Sequence, residues 1–285
     1  WVIGSLKKNT VDNVNTIVSA NQVAYTAWID GNGTLRQRLG ELQSGADNGV
    51  WARMFGGKLG GDEFTNKYKT YQLGYDAQAG EWRVGAAYEY SDGSLNYTSG
   101  SGENKIGAIS LYGTLQGKDN SALDIVVKRG RIYGDMDIYG KYSDQGDYST
   151  DATSIGVEYS KRFDGGNNVY FEPQAQLTFG RIDGYDYVSA KGIRVAYDDI
   201  NSLIGRLGIV GGKAFSRGDV YVKASLLHEF SGDSSVTMLA ANGESYMEDQ
   251  DYGDTWLEVG IGGNITLGKN CELYGEVERS FGGDV

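Results

Sequence analysis

The sequence has almost no proline, cysteine or histidine, with one residue of each in 285. A lone Cys271 rules out an internal disulfide and any metal site built from several cysteines. No run of about 18 apolar residues occurs, which excludes a transmembrane helix. Basic residues are scarce: 26 Lys and Arg against 38 Asp and Glu leave a net charge of −12. That balance argues against nucleic acid as a partner, because phosphate binding needs a basic surface. No secretion signal stands at Trp1, so one has been removed or the chain is an internal piece.

What is abundant points elsewhere. There are 44 Gly and 21 Tyr, and the length suits one large β domain. The glycines are spread among Tyr, Val, Leu and Ile in regular blocks, which argues against disorder. The mean hydropathy of −0.42 reads as a soluble protein, but that average misleads for a barrel. Barrel strands show one apolar face to lipid and one polar face to a lumen.

The first forty residues have a helical period. Val11, Val14, Val18, Tyr25 and Trp28 recur at helical spacings. Asp30-Gly-Asn-Gly33 is read as a break. Thr34 with Gln37 has the spacing of a capping box and opens a second short helix, "TLRQRLGEL". The opposite face, with Asn13, Asn15, Thr16, Asn21 and Gln22, is polar with little charge. Such a helix suits a wet polar channel, and it suits an ordinary surface equally well.

After Asn48 the period becomes two. From Val169 to Gly180, Val169, Phe171, Pro173, Ala175, Leu177 and Phe179 alternate with Tyr170, Glu172, Gln174, Gln176 and Thr178. One face is apolar and the other polar or small, as a strand between lipid and water requires. Leu203 and Leu207 oppose Arg206 in the same way, and Leu257, Val259 and Ile261 oppose Glu258. Eleven such segments are expected, at 49–58, 64–79, 81–94, 103–117, 120–134, 149–164, 167–182, 200–214, 218–231, 252–267 and 270–282. Each can cross the hydrocarbon of a bilayer. Their connections alternate between short turns and long loops, the mark of an outer-membrane barrel with turns in the periplasm and loops outside.

Single-chain bacterial barrels close with an even strand number, so a twelfth strand is expected beyond Val285. The predicted fold is all-β: a twelve-stranded antiparallel outer-membrane barrel with eleven strands present and an N-terminal helix in its lumen. Residues 1–45 form the linker and plug, and residues 46–285 form the wall. Glu172, Gln174, Gln176, Arg206 and Glu258 are expected to face the lumen. Phe171, Leu177, Phe179, Leu257, Val259 and Ile261 are expected to face lipid. Aromatic girdles are assigned to Trp51, Tyr71, Trp82, Tyr88, Tyr90, Tyr112, Phe163, Tyr170, Tyr221, Phe230 and Trp256.

Catalysis has little support. His228 and Glu229 are neighbours in a strand, so they point to opposite faces, and Ser225 is also opposite His228. A barrel hydrolase of the protease or phospholipase type would have to assemble its site from other strands. The Gly-Gly pairs follow no strand-to-helix pattern, so no phosphate loop is implied. No cofactor and no catalytic residue are expected. A free-standing porin-like channel remains an alternative.

Several motifs occur together in order: "TLRQRLGELQ", "GVWARMFGG", "YFEPQAQLTFGRIDG", "SLIGRLGIVGGKAF" and "LYGEVERSFGG". In this arrangement the chain resembles the translocator domain of type V autotransporters, over nearly its whole length. The resemblance implies a twelve-stranded barrel with a helix through the lumen, here carrying Val14, Val18, Tyr25 and Trp28. It implies an exported passenger N-terminal to Trp1. It also implies a last strand ending in an aromatic residue that the barrel assembly machinery recognises. A monomer in contact with outer-membrane lipid and lipopolysaccharide is expected. One departure matters. Serine protease autotransporters of enterobacteria cut themselves at an Asn-Asn pair, and the matching place here reads Gly33-Thr34. That self-cleavage is not carried over.

Overall fold

The computed structural model describes residues 14–32, 49–141, 143–268 and 271–283. The expected second helix from Thr34 lies outside them. A helix, α1, spans 14–32. The strands follow in order: β1 (Gly49–Gly60), β2 (Phe64–Ala79), β3 (Trp82–Tyr97), β4 (Gly100–Gln116), β5 (Ser121–Ile138) and β6 (Asp144–Lys161). Next come β7 (Phe163–Asp164), β8 (Val169–Ile182), β9 (Tyr185–Val188), β10 (Arg194–Tyr197) and β11 (Ile200–Phe215). The last are β12 (Gly218–Glu229), β13 (Ser234–Leu239), β14 (Ser245–Gln250), β15 (Thr255–Gly268) and β16 (Cys271–Phe281).

Eleven long strands pair antiparallel in the order β1-β2-β3-β4-β5-β6-β8-β11-β12-β15-β16. The sheet curls around α1. Among the described residues β1 and β16 do not pair, yet the Arg53 guanidinium of β1 lies 5.1 Å from the Tyr274 ring centre of β16.

Because side chains alternate with a period of two, register fixes what each face carries. Val50, Tyr75, Ala86, Leu111, Val127, Ile155, Phe179 and Leu203 stand directly opposite one another, one per strand from β1 to β11. This row crosses eight strands with no polar member, and its large members are exposed on the outer face. Their sequence neighbours Ser110, Lys128, Ser154, Thr178 and Ser202 are buried on the inner face.

Glycine serves close packing on that inner face. A Cβ at Gly74 would meet the Trp51 indole at 2.4 Å, and one at Gly85 would meet the Tyr112 ring at 2.3 Å. Gly212 lies under Tyr170 and Gly262 under Tyr221 in the same way. Trp51, Tyr112, Tyr170 and Tyr221 therefore point inward, flat on a neighbouring strand, and Trp256 is buried beside Ile204 and Leu227. This corrects their assignment to a girdle. Nearness to a strand end does not fix the face; parity does.

The sole proline also has a structural place. The β6–β8 ladder stops at Ser160 opposite Gln174 and resumes at Phe163 opposite Phe171 in the same register. Pro173, which has no N–H to donate, sits in the interruption.

The expected long loops are corrected. "GSLNYTSGSGEN" is strand on both sides of a two-residue link at Thr98 and Ser99, because β3 and β4 run to Tyr97 and from Gly100. Likewise β5 and β6 extend through most of "DMDIYGKYSDQGDYS". The other two segments carry β9, β10, β13 and β14, which form a separate antiparallel sheet in the order β14-β13-β10-β9. Cross-strand pairing satisfies backbone groups that a loop would leave to water.

The helix is corrected as well. It continues through Asp30, Gly31 and Asn32, where a break was expected. Gly31 is pressed against the wall: a Cβ there would come 2.6 Å from the Lys128 Nζ. Close approach, not a turn, explains this glycine.

The packing of rings on glycines yields a test. Gly85→Ala should lower stability by about 1–3 kcal/mol, read as the urea midpoint of the full-length folded protein. Gly275→Ala, where a Cβ meets nothing within 4 Å, should leave the midpoint unchanged. Equal effects would show that the ring contact is immaterial.

Candidate functional site

The site is the seat of α1. At 1.5 Å per residue this helix is roughly 28 Å long, comparable to the thickness of a bilayer core. It is buried nearly all round, which for an amphipathic helix means two different surroundings. Apolar Val14, Ile17, Ala20, Val23 and Ala24 pack with Val195, Val236 and Met238 of the small sheet and with wall residues such as Ile106 and Ile132. Polar Asn21, Thr16 and Thr26 are buried too.

The wall grips α1 from several strands. Asn15 Nδ2 donates to Glu63 Oε1 at 3.3 Å, between β1 and β2. The Lys128 ammonium of β5 sits 4.5 Å from the Trp28 ring centre and pairs with Glu89 Oε1 of β3 at 2.8 Å. Gln72 Nε2 of β2 donates to the other Glu89 oxygen at 2.7 Å. On β6, Tyr148 OH donates to the Ala20 carbonyl at 3.1 Å, and Ser154 Oγ to Asn32 Oδ1 at 2.8 Å. On the far side, Tyr25 OH donates to Glu229 Oε2 of β12 at 2.8 Å. Glu229 also accepts from Ser202 Oγ and from the Leu203 and Ser231 backbone N–H groups.

The small sheet closes over the first turns of the helix. Tyr197 OH of β10 donates to the Ile17 carbonyl at 2.7 Å, and Gln250 Nε2 of β14 to the Val18 carbonyl at 3.0 Å. Asn21 Nδ2 donates to Gln250 Oε1 at 2.8 Å and to Ser234 Oγ at 3.1 Å. Tyr25 stacks on Tyr252 with ring centres 4.6 Å apart. Tyr148, Tyr185 and Tyr197 form a continuous stack at 4.6 and 4.4 Å. Burial, and then the neighbouring tyrosines, push the Tyr185 and Tyr197 phenols well up. Tyr197 therefore keeps the proton it donates to α1.

Nearer the turn side, the inner wall has its own polar network. Arg206 bonds Glu158 at 2.7 Å, Gln176 at 2.8 Å, and Gln174 and Ser225 each at 3.1 Å. Glu172 accepts from Arg162 at 3.1 Å and from Gln174 at 3.0 Å. Glu258 accepts from the Trp256 indole at 3.2 Å. Five residues expected at the lumen thus sit on one face, and four of them, Glu172, Gln174, Gln176 and Arg206, form one connected cluster. On the opposite face Phe171, Leu177, Phe179, Leu257 and Ile261 are exposed, and Val259 is half-buried. Tyr88, Tyr90 and Phe230 are exposed there as well, and Trp82 is half-buried, packed across Gly113. Of the residues expected on the helix, Val14, Tyr25 and Trp28 are buried and Val18 is partly buried. His228 lies on the outer face, its Nδ1 2.7 Å from Thr255 Oγ1, while Glu229 points inward. Sequence reasoning missed Lys128, Tyr148, Tyr197 and Gln250, which hold α1, and Glu89, which pairs with Lys128. The inward parity of Glu89 and Lys128 could have found those two.

A curled antiparallel sheet, apolar outside and polar within, with its own helix seated inside, defines a membrane β-barrel with an internal helix. The autotransporter beta-domain family matches residues 50–278, and the chain belongs to that family, whose members are outer-membrane translocators that carry an N-terminal passenger. It is 30% identical over 278 residues to the pertactin autotransporter of Bordetella parapertussis, covering 91% of this chain and 30% of that protein. It is 28% identical over 292 residues to the BrkA autotransporter of Bordetella pertussis, covering 94% and 28%. The chain thus spans about 30% of the length of these relatives. In fold it is similar to the translocator domain of NalP from Neisseria meningitidis, with a TM-score of 0.70 at 13% identity over 91% of this chain and 92% of that one. The beta domain of the Bordetella autotransporter BrkA gives a TM-score of 0.65 at 24% identity over 82% and 92%.

The Lys128–Glu89 pair yields a test. Lys128→Met leaves the Glu89 carboxylate buried without its cation, a loss on the order of 3–5 kcal/mol. The urea midpoint of the full-length protein should fall accordingly, and adding Glu89→Gln should recover most of it. A midpoint unmoved by Lys128→Met would mean that solvent reaches Glu89.

Proposed function

We propose that this domain inserts as a monomeric barrel into the bacterial outer membrane, exports the passenger that precedes it, and then anchors it. In this reading residues 46–285 supply the wall and residues 1–45 the linker and stopper. The observation that carries it is α1 itself, an independent segment enclosed by the sheet and held from β2 round to β12. Its work is mechanical. No nucleophile–base pair takes part, and the lone His228 stands outside the seat.

The same reading orients the molecule. The strand ends carrying the second sheet face the exterior, and the short turns, such as Gly80-Glu81, face the periplasm. That asymmetry is usual for outer-membrane barrels. The outward apolar row meets lipid, the inner polar network lines the lumen, and Trp82, Tyr88, Tyr90 and Phe230 sit at the interfaces. A further strand of the full-length protein pairs with the edges of β1 and β16. The short reach from Arg53 to Tyr274 supports a narrow opening there. The barrel assembly machinery and lipopolysaccharide complete the set of partners.

Two measurements test the proposal. Deleting residues 14–32 from the full-length protein should raise single-channel conductance in planar bilayers severalfold over the intact protein. Unchanged conductance would sink the stopper role, and a fully open intact channel would favour a porin. Separately, Ile155→Arg should cost about 2–4 kcal/mol in lipid, the penalty for a charge on the lipid face near the midplane. A negligible shift of the unfolding midpoint in liposomes would place Ile155 away from lipid.

A further inference from the structure

The outer face of β1 and β2 carries an ordered ladder. From the turn side upward, the directly opposed pairs are Val50 with Tyr75, Ala52 with Leu73, and Met54 with Tyr71. Then come Gly56 with Lys69, and Lys58 with Lys67. All these residues are exposed. Three apolar or aromatic rows are therefore followed at once by two basic rows. Lys58 and Lys67 are direct cross-strand neighbours, a like-charge placement that destabilises a sheet unless something offsets it.

Nothing in the described protein offsets it. None of the three lysines forms an ion pair with a described carboxylate. The nearest one in register is Asp92 of β3, opposite Lys69, and it also stands opposite Lys105 of β4. In a chain of net charge −12, general basicity does not explain three clustered lysines. An anion held at the top of an apolar surface does.

We propose that this face binds a phosphorylated, acylated disaccharide: the lipid A headgroup of the outer-leaflet glycolipid. Its phosphates lie among Lys58, Lys67 and Lys69. Its acyl chains lie along Met54, Leu73 and Val50, with Tyr71 at the boundary. Charge and polarity match row by row. The choice of the outer-leaflet glycolipid over an inner-leaflet phospholipid rests on the orientation proposed above, with the loop side outward.

The test uses the full-length protein in phosphatidylcholine nanodiscs, titrated with lipid A, with its monophosphorylated form and with phosphatidylglycerol, and read by native mass spectrometry. Lipid A should bind, and the triple variant K58Q/K67Q/K69Q should weaken it on the order of a hundredfold. Lys67→Gln alone should weaken it about fivefold, a readout that survives if the triple variant folds poorly. Lys213→Gln, at the turn end of β11, should bind as the parent does. Binding unchanged in K58Q/K67Q/K69Q overturns the site. Phosphatidylglycerol binding as tightly as lipid A overturns the choice of glycolipid. Nanodisc binding does not depend on orientation in the cell, so protease access to the loops on whole cells tests that reading separately.

Discussion

In hydrocarbon there is no water to satisfy a backbone N–H or C=O group, so a strand can cross a membrane only if both neighbours pair with it. Every other feature of this domain follows from that requirement. It forces an antiparallel ladder running from β1 to β16, broken at the residue that has no N–H and shifted in register between Thr266 and Gly268. It also leaves the two-residue pleat as the only variable: one set of side chains must suit lipid and the other must suit what lies inside. The unbroken apolar row from Val50 to Leu203 and the buried polar row beside it are the two products of one constraint.

Inside the sheet the logic reverses. Buried polar and charged groups are costly unless they are bonded, and here many of them are bonded to one another or to α1. Glu89 and Lys128 neutralise each other and present the ammonium to the Trp28 ring. Glu229 gathers donors from Ser202, two backbone amides and Tyr25. Arg206 is tied to four side chains along its own wall. The loop-side half of the interior is fitted to the helix.

The wall was legible in the sequence because period-two alternation over a dozen residues is a strong signal. The Val169–Ile182 strand could be assigned to within two residues at its start. The small sheet was not legible. Its strands are four to six residues long, too short for alternation to stand out from Gly, Ser and Asp neighbours. Gly31 was misread because a glycine demanded by a neighbour's approach looks the same as one demanded by a turn. Trp51, Tyr112, Tyr170 and Tyr221 were misplaced because their partners are glycines, which leave no pattern of their own. The seat of α1 was the least accessible part. It is assembled from residues far apart in the chain, such as Tyr25 with Glu229 and Ile17 with Tyr197.

The small sheet and β6 hold the first turns of α1 largely through its backbone. Tyr197, Gln250 and Tyr148 donate to the carbonyls of Ile17, Val18 and Ala20, groups that every helical segment offers. Those three contacts follow the path of the helix and not its side chains, whereas Asn21, bonded to Gln250 and Ser234, ties the same seat to one particular residue.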